Sequence, residues 1–165
     1  TLLEVVIAMA ILSVLSGAFA STVIAGKRSW STAEAHIQLQ QELRKSMNEM
    51  VGDLCQGGVS TIYGVDPYGN LSNTIIFRRP SDVINGILVW ESNTVQYSLG
   101  GQNMKQLMRT SGAEQRVVGN NIASFQMRRN PATPSIVEIA LQGNKQTIEG
   151  DLITARSNCQ VELRN

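Results

Sequence analysis

From Val5 to Gly26 the chain runs VVIAMAILSVLSGAFASTVIAG, 22 residues without a charge. At about 1.5 Å rise per residue such a run makes a helix of roughly 33 Å, enough to cross a hydrocarbon layer of about 30 Å. Between Lys27 and Cys55 the pattern becomes mixed, and Leu39, Leu43, Met47, Met50 and Leu54 recur at spacings of four, four, three and four. That period predicts one apolar stripe on a helix whose other faces carry Arg44, Lys45, Glu49 and Asp53. No proline precedes Pro67, and Gly17 and Gly26 are the only glycines in the first 51 residues. The two stretches are therefore predicted to form one helix of about 50 residues, its first half for membrane and neighbours and its second for its own head.

After Gly57-Gly58 the pattern changes again, to short runs rich in Val, Ile, Phe and Tyr separated by turn residues. Strands are predicted over Thr74–Arg79, Gly86–Glu91, Thr94–Leu99, Met104–Arg109, Ile122–Arg129, Ile136–Leu141 and Leu152–Leu163. Ser92-Asn93, Gly100-Gly101-Gln102-Asn103 and Gly143-Asn144 read as tight connections, which makes an antiparallel meander the simplest topology. A sheet with one apolar face and a helix with one apolar stripe bury each other. The expected fold is α+β, a long N-terminal helix packed on an antiparallel sheet.

Lys+Arg 14 against Asp+Glu 13 are interspersed along the chain, so nothing favours a nucleic-acid or acidic-lipid partner. Catalytic chemistry is likewise not legible. The only histidine, His36, sits on the amphipathic helix beside Glu34 and Gln40, and no Cys-x-x-Cys, His-x-x-x-His or phosphate-loop motif occurs. No enzyme activity and no cofactor are expected. Asp66-Pro67-Tyr68-Gly69-Asn70 is expected to be a surface turn, because Asp66, Asn70 and Asp82 lack the dense carboxylate spacing of a dedicated calcium site. Asn70-Leu71-Ser72 fits a glycosylation acceptor triplet and is given no role.

Glu4 stands at the very start of the apolar run. A carboxylate at membrane depth is costly without a positive partner. The nearby positive groups are an amino terminus and the partial charge of the helix N-terminus. A neighbouring chain's amino terminus serves better, because each subunit then satisfies the next.

Thr1-Leu2-Leu3-Glu4-Val5-Val6-Ile7-Ala8 resembles the start of mature type IV pilins and type II secretion pseudopilins, and the likeness covers roughly the first 55 residues. The head is similar to J-type minor pseudopilins and related minor pilins in Gln40-Gln41-Glu42-Leu43-Arg44-Lys45-Ser46, in Val118-Gly119-Asn120-Asn121-Ile122-Ala123-Ser124-Phe125 and in Val161-Glu162-Leu163-Arg164-Asn165. The resemblance implies a prepilin processed by a prepilin peptidase before a Phe that becomes N-methylated, with Thr1 as the second mature residue; that Phe is not in this sequence. It further implies that Glu4, with Thr1, Leu2 and Leu3 around it, neutralises the amine of an adjacent subunit and sets its register. Gly17, flanked by Ser13, Ser16 and Ala20, permits close helix approach or local melting in a filament, or belongs to an ordinary small-residue face.

Cys55 and Cys159 are the two cysteines. An even count in an exported chain predicts one disulfide, worth about 4 to 5 kcal/mol for so long a loop in the chain-entropy model. Two buried free thiols are the alternative. Many type IV pilins instead bracket a segment near the chain end with two cysteines, so this placement departs from theirs.

The expected organisation is thus an apolar span or filament-core helix at 1–26, an amphipathic half-helix at 27–56 and a β-rich head at 57–165. The expected function is a structural subunit of a type IV pilus-like filament. Its partners would be copies of itself or related pilins and the inner-membrane assembly machinery. It would reside in a bacterial inner membrane before assembly and in an extracellular or periplasmic filament afterwards. A minor pseudopilin of a secretion system is one alternative, and a single-span membrane-anchored binding module is another.

Overall fold

Helix α1, Leu2–Leu54, runs without a break for 53 residues. Its second half buries Ala35, Leu39, Leu43, Met47, Met50 and Leu54, the stripe that the four-and-three spacing predicts. The computed structural model describes residues 1–163; Arg164 and Asn165, the end of the Val161-Glu162-Leu163-Arg164-Asn165 run, lie outside the described residues.

Among the described residues nine strands follow: β1 (Thr74–Phe77), β2 (Pro80–Ile84), β3 (Ile87–Trp90), β4 (Val95–Gly100), β5 (Gln106–Ser111), β6 (Glu114–Gly119), β7 (Ile122–Arg129), β8 (Ile136–Gln146) and β9 (Leu152–Glu162). They form a four-stranded sheet in the order β1-β4-β5-β6, a two-stranded ribbon β2-β3 and a three-stranded sheet β7-β8-β9. Every pairing is antiparallel. The architecture is α+β, one long helix packed against antiparallel sheets. Strands β4-β5-β6 and β7-β8-β9 are meanders, but β1 reaches β4 across the inserted β2-β3 ribbon, so the whole is not one meander.

The core lies between α1 and the inward faces of the two larger sheets. Alternation sets those faces: Val137, Ile139 and Leu141 on β8 are buried while their neighbours are half-exposed, as a one-sided sheet requires. Tyr97 and Phe77, both fully buried, stack with ring centroids 6.4 Å apart.

Two local expectations are corrected. Gly143-Asn144 is not a turn but lies inside β8, which runs on to Gln146. Its glycine is there for close packing: a Cβ at Gly143 would fall 2.7 Å from Leu39 Cδ1, so the helix rests on bare backbone. Ser92-Asn93 is not a hairpin turn, because β3 pairs with β2 and not with β4. The hairpin turn of this region is Asn85-Gly86, with φ of 52° and 79°, the left-handed pair that a two-residue turn demands and that Asn-Gly supplies.

Candidate functional site

Every residue from Thr1 to Trp30 is exposed, and the first buried position on α1 is Ala35. The helix is long and apolar enough to cross a membrane. It therefore leaves the head as a rod, and the head makes no use of the apolar surface that the rod carries.

Three hydroxyls on the rod are closed upon it. Ser13, Ser21 and Thr22 donate their hydroxyls to the carbonyls of Met9, Gly17 and Ala18 at 2.8, 2.9 and 2.9 Å. Hydroxyls bonded back to the preceding turn carry little cost into a hydrocarbon environment.

At the tip, the amine of Thr1 donates to Glu4 Oε2 at 2.5 Å, and both groups are exposed. Leu2 and Leu3 beside them are exposed as well. The structure thus brings Thr1 and Glu4 together within one chain. At Gly17 the helix continues without a kink, and a Cβ there would meet nothing within 4 Å.

The expected bridge between Cys55 and Cys159 is not made; both are free thiols. The two thiols sit in different surroundings. Cys55 caps α1 one residue past the buried Leu54 and is turned out to solvent. Cys159, on the edge strand β9, pairs with Ile139 of β8 and packs, half-buried, against the core. One thiol faces out of the helix–sheet interface and the other into it.

The remaining candidates are engaged structurally. Asp66 accepts from Tyr68 N at 2.8 Å and from the Asn70 side chain, an Asx turn closed upon itself. Asp82 lies on β2 and accepts from Val83 N at 2.7 Å. Among the described residues no three His, Cys, Asp or Glu side chains are grouped to hold a metal. His36 is exposed on α1.

Three ion pairs that spacing alone did not single out fix the helix to the head, one of them between Arg116 on β6 and Glu49 on α1. Arg109 on β5 donates from Nε to Asp53 Oδ2 at 2.6 Å near the end of α1, and Arg28 donates to Glu149 Oε2 at 2.5 Å at the other extremity of the head. Neither of the latter two is readable from one sequence, because 56 and 121 residues separate the partners.

Compared with protein-family models, curated proteins and solved structures, the chain matches none.

Proposed function

We propose that this chain is a structural subunit of a type IV pilus-like filament. One observation carries the proposal. A rod exposed from Thr1 to Trp30 and uncharged from Val5 to Gly26 is the same unbroken helix whose second half forms the core of the head.

A tether for a binding module needs only an apolar span and a linker, and a flexible linker suits it best. A rigid joint suits a polymer, because each head must then be held at a fixed angle to the bundle of apolar rods. In that bundle the apolar surface is covered by neighbouring rods, and Glu4 exchanges its own amine for that of the adjacent subunit. Its partners are then copies of itself or related pilins, delivered from a bacterial inner membrane by an assembly machinery to a filament outside the membrane. Processing by a prepilin peptidase and N-methylation belong to the same proposal.

The test is to express the full chain in cells carrying a type IV pilus or pseudopilus machinery, shear the surface, and reconstruct labelled filaments by helical cryo-electron microscopy. The expected map has the apolar halves of α1 in a central bundle and the sheets outward. Recovery of the chain solely as dispersed single-span protein in the membrane fraction would overturn the proposal in favour of the tether.

A further inference from the structure

The head reaches down toward the end of the apolar run at one place. Strand β8 descends alongside α1: Gly143 rests on Leu39, Lys145 donates to Gln38, and Glu149, in the turn between β8 and β9, pairs with Arg28 at 2.5 Å. Each step along β8 moves to an earlier residue of the helix. The backbone of Arg28 is two residues past Gly26, and Ile148 in this turn lines a cavity with Ser31, Glu34 and Ala35, so the turn lies about 8 to 14 Å along the helix axis from the end of the uncharged run.

The turn is apolar where it is most exposed. Ile148 at its tip is 98% exposed, and Leu152, which opens β9, is 66% exposed. Trp30, 76% exposed, stands on α1 close to this level, and Glu34 and Gln38 lie between it and Ile148. The charges there nearly cancel, since Glu149 is taken by Arg28 while Lys27 and Asp151 remain without ion-pair partners among the described residues. What the base of the head offers is therefore an amphipathic rim of isoleucine, leucine and tryptophan with little net charge.

A tryptophan and aliphatic side chains just past the end of a span, with a basic pair beside them, are the chemistry of the membrane–water interface. We infer that Ile148 and Trp30 insert into the headgroup layer of a phospholipid bilayer while α1 crosses it, seating the base of the head on the membrane surface. The inference rests on the reading that Val5–Gly26 crosses a bilayer before assembly. The near-cancelling charge makes the contact one of apolar insertion, so it holds on zwitterionic as well as anionic lipid.

Tryptophan fluorescence in the full chain, reconstituted at low protein-to-lipid ratio in phosphatidylcholine vesicles containing brominated phosphatidylcholine, tests it. Trp90→Phe leaves Trp30 as the reporter. In a Trp30→Phe, Trp90→Phe background, Ile148→Trp reports the turn, Leu12→Trp the span, and Tyr68→Trp an exposed loop of the head beyond the other end of α1. Bromine quenching at positions 30 and 148 is expected to exceed that at 68 by at least about threefold, with position 12 also quenched. If 12 is quenched but 30 and 148 behave like 68, the docking is wrong and the spanning reading stands. If 12 is not quenched, the spanning reading fails and the docking with it. Shielding of 148 from aqueous acrylamide that vanishes when the protein is diluted with lipid would assign this rim to a second copy of the chain and overturn the inference.

Discussion

Asp53 Oδ2 accepts a 2.6 Å hydrogen bond from Arg109 Nε, joining the last turn of α1 to the middle of β5 with side chains only 15% and 8% exposed. The same oxygen accepts from the Tyr97 hydroxyl at 2.8 Å. Burial pulls the Arg109 pKa down, but the hydrogen bond and charge of Asp53 outweigh it and the net direction is up. The helix that carries the apolar rod is thereby locked to the sheet by a charge that has few other partners.

Removing one side of such a pair leaves the other buried and uncompensated. Asp53→Ala is expected to destabilise the head by about 3 kcal/mol, and Tyr97→Phe by about 1 kcal/mol. Denaturant unfolding of the full chain in detergent micelles measures both. An Asp53→Ala loss no larger than that of Tyr97→Phe would show that water replaces the carboxylate and that the pair is not the lock.

Tyr97 gives the interface a pH dependence. Burial first, then the hydrogen bond and charge of Asp53, push its phenol far above the ordinary tyrosine range. A group whose pKa is raised on folding contributes stability that is fully present below its unfolded pKa, near 10, and is lost as pH rises beyond it. Stability is expected to fall by up to about 1.4 kcal/mol per pH unit above pH 10, with Tyr97→Phe flattening that slope. Equal slopes in the two proteins would assign alkaline unfolding to other groups.

The thiols provide a chemical check on the helix end. Cys55 is exposed and Cys159 half-buried against the core, so Cys55 is expected to react with iodoacetamide first and Cys159 only on unfolding. Intact mass of native, unreduced protein should show one fast adduct and a second after denaturation. A mass two daltons low with no adduct would mean that the two residues do bridge.

How much of this was legible depends on whether the signal was local. The stripe from Leu39 to Leu54 and the alternation along β7, β8 and β9 are properties of neighbouring residues, and they mark the helix and the core strands correctly. Strand β6 was missed because its first four residues, Glu114 to Val117, are exposed on both faces at a sheet edge and carry no alternation. Strand β2 opens on a proline and continues through Ser81 and Asp82, yet Asn85-Gly86 was a local hairpin signal that had been there to read. Gly143 misled because a glycine needed for close approach and a glycine needed for a turn look alike in one sequence. The locks Asp53–Arg109 and Arg28–Glu149 are meetings of distant segments, and no window of sequence contains both partners.

Glu4 is the residue on which assembly is expected to turn. Glu4→Val removes the carboxylate without touching the head, since among the described residues none of the head is bonded to it. The variant is expected to remain folded and membrane-inserted while surface filaments drop severely, as counted by electron microscopy of sheared material. Normal filament numbers would remove the charge pair from the assembly mechanism.

Deletion of residues 1–26 separates the two halves of α1 at the boundary that burial marks. The buried stripe begins at Ala35, and the head's lowest tie to the helix is Arg28, so the deletion leaves every buried contact in place. At about 25 cal/mol per Å² of apolar area removed from water, even about 1,000 Å² covered per subunit would give about 25 kcal/mol before ordering costs. That surface is on the deleted segment. The truncated chain is therefore expected to be soluble and monomeric by light scattering, with strand content by circular dichroism equal to that of the full protein's head. Native-like polymers from the truncated chain would place the assembly contacts in the head, and the apolar rod would then be an anchor and nothing more.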